Sequence, residues 1–184
     1  EGACLVIDHP VHPDLEIAEI QRRLFRAGGP AVLFTRPEGS SFPVLINLYG
    51  TKQRITRIFA DSLDRVRRLV ELKIDPTAVL RKPSRYWRSP YDALSMLPKG
   101  MSRGPVMARS TTISKLPHVV AWPGDGGPFV TLPAVYTEDP ARPGLTHSNL
   151  GMYRVQLAGN AYLRDREIGL HYQIHRGIGL HHAA

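Results

Sequence analysis

The chain has one cysteine, Cys4, in 184 residues. A single thiol makes no disulfide framework and cannot build a cysteine-based zinc site, which excludes a stapled secreted domain and a zinc finger. Cys4 is read as a bystander, and the compartment as reducing and cytoplasmic. No apolar run approaches the ~20 residues that a membrane helix needs. The first residues show no basic segment followed by a long apolar core, so no secretory leader is read there. The chain does not begin with Met, and the expectation is a processed or incompletely given start. Acidic side chains are scarce: 16 Asp and Glu face 24 Lys and Arg, for a formal net charge of +8. Most of the excess is arginine, whose planar guanidinium captures phosphate and carboxylate in a bidentate manner. The positive charge is spread along the chain instead of forming a stripe. That favours anionic small molecules over a nucleic-acid footprint.

Hydrophobic residues make up 42%, enough for a packed core. Glycine and proline, 16 each, point to many turns and a sheet-containing fold. The length suits one domain, or a domain plus part of another. Residues 13–27 (PDLEIAEIQRRLFRA) read as an amphipathic helix with Asp14 as N-cap. Its apolar face is Leu15, Ala18, Leu24 and Ala27, helped by Ile17 and Ile20, and Gly28-Gly29-Pro30 stops it. AVLFT (31–35) and PVLINLYG (43–50) read as strands. Thr51 is expected to cap a helix to about Ala60, and Asp61 or Ser62 to cap another over residues 63–74. Residues 81–105 interleave basic and aromatic side chains. They read first as a surface crossing with one short helix, YDALSML, and second as a base-stacking surface.

After Pro105, short apolar runs alternate with Gly, Pro and Asp turns, the pattern of antiparallel strands. GDGG (124–127) needs a turn with positive φ. A barrel begun at 106 would have too few strands to close, so the chain is expected to be incomplete as a folding unit or to pair with another chain. In NLGMYR (149–154), regular pleating puts Asn149, Gly151 and Tyr153 on one face. A bulge near Gly151 would bring Asn149 and Arg154 to one site. In HYQIHRG, read as a strand, His171, Gln173 and His175 share a face, with Tyr172 and Arg176 on the other. An Asn oxygen, a His and a phosphate suit Mn²⁺ or Mg²⁺ better than zinc, but two side chains are too few to hold the ion and a carboxylate is expected from elsewhere. His181 and His182 read as a strand-to-loop exit.

Five stretches, in this order, carry a resemblance: DLEIAEIQRRLFRAGGPAVLF (14–34), FPVLINLYGTKQR (42–54), LPHVVAWPGDGGPFVTLPAVYTEDP (116–140), NLGMYRVQL (149–157) and GLHYQIHRGIGLHH (169–182). The chain resembles the N-terminal portion of UbiD-type decarboxylases, the family that uses prenylated FMN. The resemblance implies an α+β fold: a small N-terminal α/β domain over 1–105, then over 106–184 the first part of a flavin-reductase-like split β-barrel that binds cofactor and metal. It implies that Asn149 and His175 are ligands to Mn²⁺ or another divalent metal bridging to the flavin phosphate, with K⁺ as a further candidate ion. Arg154 would be the catalytic arginine beside the flavin and the substrate carboxylate. Met152, Tyr153, Arg154, His171, Tyr172, Gln173, Arg176 and Gly177 would contact the cofactor.

The family's metal-binding glutamate and its two catalytic acids lie beyond the H-R-G motif, and the C-terminal oligomerisation domain lies beyond them. Asp165 and Glu167 precede the motif, in what reads as a hairpin loop, and are not assigned to those roles. The resemblance therefore implies a non-oxidative decarboxylase of aromatic or α,β-unsaturated acids, completed by a second chain in a homo- or hetero-oligomer. A flavin prenyltransferase would supply its cofactor. The rival expectations are a non-catalytic flavin- and metal-binding module or scaffold and, more weakly, nucleic-acid binding through 81–105.

Overall fold

The computed structural model describes residues 4–97, 100–174 and 177–183. The chain packs as two units, one of Glu1–Asn47 with Thr111–Ala184 and one of Leu48–Ser110.

The first unit opens with strand β1 (Cys4–Ile7), helix α1 (Glu16–Arg26) and strands β2 (Ala31–Phe34) and β3 (Val44–Ile46). The sheet order is β1-β2-β3, with β1 parallel and β3 antiparallel to β2. The central run AVLF is largely buried, as expected of a strand covered on both faces. From α1, Ile17 with Ile20 and Leu24 on the same helical face packs on Val32, Phe34 and Ile46 of the sheet, and Val11 and Val119 complete the core. A parallel bridge joins Asp14 to Val120, through Leu15 N–H to Val120 O (3.1 Å) and Val120 N–H to Pro13 O (3.1 Å). Asp14 is consequently not the N-cap: Leu15 takes that place, at φ 64°, with no side-chain cap. The helix ends as expected at Gly28, φ 61°. The second strand is shorter than 43–50. Asn47 turns left-handed (φ 56°) and its amide donates to Gly29 O (3.0 Å) and Pro30 O (2.9 Å), tying the strand end to the turn before β2.

The second unit is helical: α2 (Lys52–Ile58), α3 (Ala60–Ile74), α4 (Ala78–Arg81), α5 (Pro83–Tyr86) and α6 (Ser89–Ser95). Thr51 caps α2, its Oγ accepting from Arg54 N–H. Neither Asp61 nor Ser62 caps α3, because α3 starts directly after α2 at Ala60 and both already lie inside it. The short helix read at YDALSML is found as α6, begun two residues earlier, and α4 and α5 precede it. Charged groups hold this unit in place of a broad apolar core. Asp92, 2% exposed, receives Arg68 at 2.6 Å and faces Arg65 at 3.8 Å. Glu71 receives Arg85 at 2.9 Å and the Tyr86 hydroxyl at 2.9 Å. The Tyr86 and Arg85 hydrogen bonds hold the Glu71 carboxyl below its usual range.

The first unit resumes with β4 (Phe129–Val130), β5 (Ala134–Glu138), β6 (Ser148–Met152), β7 (Arg154–Gln156), β8 (Gly169–His171) and α7 (Gly177–Ala183). These strands form two small antiparallel sheets, β4-β7-β8 and β5-β6. The segment read as one bulged strand is two strands, broken at Tyr153, that belong to different sheets. Residues 154–156 pair with 169–171, Arg154 opposite His171. The HYQIHRG segment is not a strand throughout, because β8 ends at His171. His181 and His182 lie in a helix, not in a strand exit. Among the described residues no helix is long and apolar enough to cross a membrane.

Candidate functional site

A glycine-rich turn leads into β4. Gly124 and Gly126 have φ of 74° and 82°, and Gly127 has φ 151°. This geometry, open to glycine and strained for other residues, lets the chain double back. β4, β7 and β8 then present Phe129, Arg154, Gln156 and His171 on one face, since Phe129 pairs with Gln156 and Arg154 with His171. The Arg154 guanidinium lies over the Phe129 ring at 3.7 Å, and His171 meets the same ring edge-on at 5.1 Å. Asp125, its side chain 8% exposed, reaches Arg154 Nη1 at 3.0 and 3.2 Å through its two oxygens. The cation is thus held by an anion along one edge and an aromatic face beneath.

The neighbouring sheet supplies a second wall. β6 pairs with β5, Thr137 opposite Asn149. The loop between them is pinned by Glu138, which accepts from the Tyr136 hydroxyl (2.6 Å) and from Gly144 N–H (2.8 Å). Both bonds, the tyrosine's first, hold its carboxyl below the usual range. Tyr153 folds back over Gly151, where an added Cβ would meet the ring at 2.6–2.7 Å. Its hydroxyl thereby accepts from Asn149 Nδ2 at 2.9 Å. The other end of the Asn149 carboxamide faces Gly177, the first residue of α7, where an added Cβ would collide with Oδ1. α7 is fastened to β5 by His181 Nδ1 and Thr137 Oγ1, 2.9 Å apart, and His182 pairs with the Tyr172 hydroxyl.

A cavity of about 750 Å³ is lined by Asn149, Gly151, Met152, Tyr153, His171, Tyr172, Gln173 and Gly177. Seven of the residues singled out from the sequence therefore line one cavity. Arg154 is not among them. It stands on the β4-β7-β8 sheet with Asp125 and Phe129. His175 and Arg176 lie outside the described residues, and among the described residues no group of three or more His, Cys, Asp or Glu side chains gathers to hold a metal. Asp165 and Glu167 serve loops elsewhere. Asp165 accepts from Ser114 N–H (2.6 Å) and Oγ (2.9 Å), which holds it below the usual carboxylate range, and Glu167 accepts from Leu163 N–H (2.9 Å). The sequence reading missed Asp125 and Gln156. Asp125 was visible only as part of a turn. Gln156 lies two residues beyond Arg154, and the strand period of two could have placed both on one face.

Two family models cover most of the chain. The 3-octaprenyl-4-hydroxybenzoate carboxy-lyase (UbiD) N-terminal domain matches residues 1–73, and the Rift-related domain of the same carboxy-lyase matches residues 99–184. The chain belongs to the UbiD family. A protein of Chlamydia pneumoniae, named as one subunit of a 4-hydroxybenzoate decarboxylase, is 42% identical over 178 residues, which cover 94% of this chain and 29% of that protein. The fold resembles the vanillic acid decarboxylase ShVdcCD of Sedimentibacter hydroxybenzoicus in closed form, with TM-score 0.72, 20% identity and coverage of 98% of this chain and 36% of that one. It also resembles an evolved dimeric form of the UbiD-class enzyme HmfF of Pelotomaculum thermopropionicum in complex with prFMN, with TM-score 0.65, 18% identity and coverage of 98% and 37%. The chain thus spans about a third of the length of these UbiD relatives.

Proposed function

We propose that this chain is the flavin- and metal-binding part of a UbiD decarboxylase that acts without net oxidation on aromatic or α,β-unsaturated carboxylic acids. A single observation carries the reading: Asn149, Met152, Tyr153, His171, Tyr172, Gln173 and Gly177 line one cavity. Its volume lies in the range of ~300–1,000 Å³ typical of cofactor sites, and its tyrosine, histidine and methionine walls suit a planar ring. The donor set fits a hard divalent ion. Tyr153 orients the Asn149 carboxamide, and glycine at 177 leaves room for its oxygen, a ligand type that Mn²⁺ and Mg²⁺ favour. When bound, prenylated FMN supplies the electron sink and the metal the counter-charge for its phosphate. The chain's own residues bind and orient: Asn149 with His175 toward the metal, and Arg176 and the cavity residues toward the cofactor. Arg154 stabilises the substrate carboxylate by charge.

The same reading takes β4–β8 as the first part of a split barrel, with a domain division near residue 105, and places the protein in the cytoplasm. It also assigns the acidic residues to further sequence, in this or a second chain. ShVdcCD and the naming of the chlamydial relative as one subunit support a multi-chain assembly. K⁺ and a flavin prenyltransferase supplier belong to the same proposal.

Reconstitution of the intact protein with prenylated FMN and Mn²⁺ tests the reading, with CO₂ release from hydroxybenzoates and cinnamate-type acids as the assay. Turnover that disappears in Arg154→Ala, with folding retained, supports it. Loaded, folded protein that releases no CO₂ even in the presence of the sequence that carries the acidic residues overturns it. A second reading, a non-catalytic cofactor-binding module, is favoured by one observation: among the described residues lining the cavity there is no carboxylate. Cofactor binding without turnover after that addition is its outcome.

A further inference from the structure

Gln156 is 2% exposed, among the most buried side chains of the protein. A buried carboxamide must place four hydrogen-bonding positions. Its Nε2 donates to Gly126 O at 3.0 Å. A backbone carbonyl can only accept, so this contact decides which end of the amide is nitrogen. Oε1 therefore points the other way, toward His171 Nε2 at 3.1 Å, with the Tyr162 hydroxyl and Asn160 Nδ2 further off at 3.4 and 3.5 Å. Glycines make the space. At Gly159 (φ 105°) an added Cβ would meet Gln156 Nε2 at 2.9 Å as well as Gly126 O, and at Gly127 it would approach the same nitrogen at 3.2 Å.

An oxygen that only accepts requires a donor on the imidazole. We infer that Gln156 is a positioning residue that fixes His171 as the Nε2–H tautomer, so that the cavity wall presents Nδ1 as an acceptor. The ligand group that His171 meets is then a hydrogen-bond donor, a hydroxyl or N–H, and not a phosphate or carboxylate oxygen. Phe129 closes the ring's other freedom by its edge contact. The tautomer assignment stands on the Gly126–Gln156–His171 chain alone. The consequence for the ligand rests on the cavity being the flavin site, and the two are separable by experiment.

The test is ¹⁵N-histidine NMR of the intact protein at alkaline pH, where imidazoles are neutral, together with FMN titration followed by fluorescence. His171 is expected to carry its proton on Nε2. Gln156→Glu, whose carboxylate still accepts from that proton, is expected to keep the tautomer. Gln156→Met, which offers no comparable acceptor, is expected to release it to a mixture and to weaken FMN binding about tenfold, with the fold checked by circular dichroism. Nδ1–H in the wild-type protein, or an unchanged tautomer in folded Gln156→Met, overturns the assignment whatever FMN does. The Nε2–H tautomer with no FMN binding by the wild-type protein leaves the assignment intact and removes the flavin reading. Equal FMN affinity in folded wild type and Gln156→Met overturns the consequence for the ligand.

Discussion

Removal of the Asp125 carboxylate tests how Arg154 is held. At 3.0 Å, two unit charges attract by about 5.5 kcal/mol at an effective dielectric constant of 20. Desolvation offsets much of this, because Asp125 is 8% exposed and Arg154 one-third exposed at 34%. Truncating one partner of a fully buried pair costs about 3–5 kcal/mol. The exposure of Arg154 lets water screen the orphaned cation, and the Phe129 face still contributes about 1 kcal/mol. The expected cost of Asp125→Asn is therefore about 2 kcal/mol of unfolding free energy, below the fully buried figure. Urea unfolding of wild type, Asp125→Asn, Arg154→Met and the double variant closes a double-mutant cycle. The coupling is expected at about 1–2 kcal/mol, with the denaturant slope unchanged. A coupling near zero, with both single variants folded, would refute the argument that Asp125 holds the guanidinium. In the reconstituted enzyme Asp125→Asn is expected to lower kcat more than it raises KM, since the arginine is present but no longer fixed.

Gly177→Ala should destabilise by about 1–3 kcal/mol through the clash with Asn149, although alanine is the better helix former by about 1 kcal/mol. Mn²⁺ affinity, read by calorimetry, should fall at least tenfold, and a stabilised variant with normal affinity would remove the Asn149 contact from the argument. Asp92→Asn should cost about 2–4 kcal/mol in denaturant unfolding, because it leaves Arg68 against an uncharged, buried partner; a loss under about 0.5 kcal/mol would show that unit 48–110 does not depend on that pair. Glu19 is held down to about 2 by hydrogen bonds from Arg22 and Arg23. A carboxyl with a folded pKa below its unfolded value stabilises above the unfolded value, and that contribution is lost as pH falls from about 4.5 through 2. NMR titration should show the Glu19 midpoint well below that of other exposed glutamates, with a small effect on stability because the pair is exposed and screened.

Patterns set by nearest neighbours were legible in the sequence. The run AVLF, the Gly28 stop, the Thr51 cap and the GDGG turn each depend on the conformational range of one or two residues, and each is found. Features set by distant partners were not. Asp14 has every local qualification for an N-cap, but Val120, more than a hundred residues away, bonds the backbone of Pro13 and Leu15 on either side of it. The break at Tyr153 depends on β5 and β8 pairing on either side of it, and no periodicity in NLGMYRVQL marks where one sheet hands over to the other. The residues of the proposed site were named by resemblance. Their supports were not: Asp125 looked like a turn residue and Gln156 like a strand filler, since neither shows its partner within its own segment.

The break at Tyr153 also bears on the spacing of Asn149 and Arg154, which stand five positions apart. In one regular strand, positions an odd number apart point to opposite faces, so Asn149 and Arg154 could not serve the same ligand without a bulge. Ending β6 at Met152 and starting β7 at Arg154 removes that parity constraint. Each side chain then takes its orientation from its own sheet, Asn149 from β5 and α7, and Arg154 from β4 and β8. Tyr153 becomes the joint. Its ring lies on Gly151 and its hydroxyl holds Asn149, so the residue that ends one sheet also orients the carboxamide assigned to the metal in the proposed site. A side chain larger than hydrogen at 151 would push the ring off and loosen the asparagine. Gly151 is therefore as much a part of the proposed metal site as Asn149.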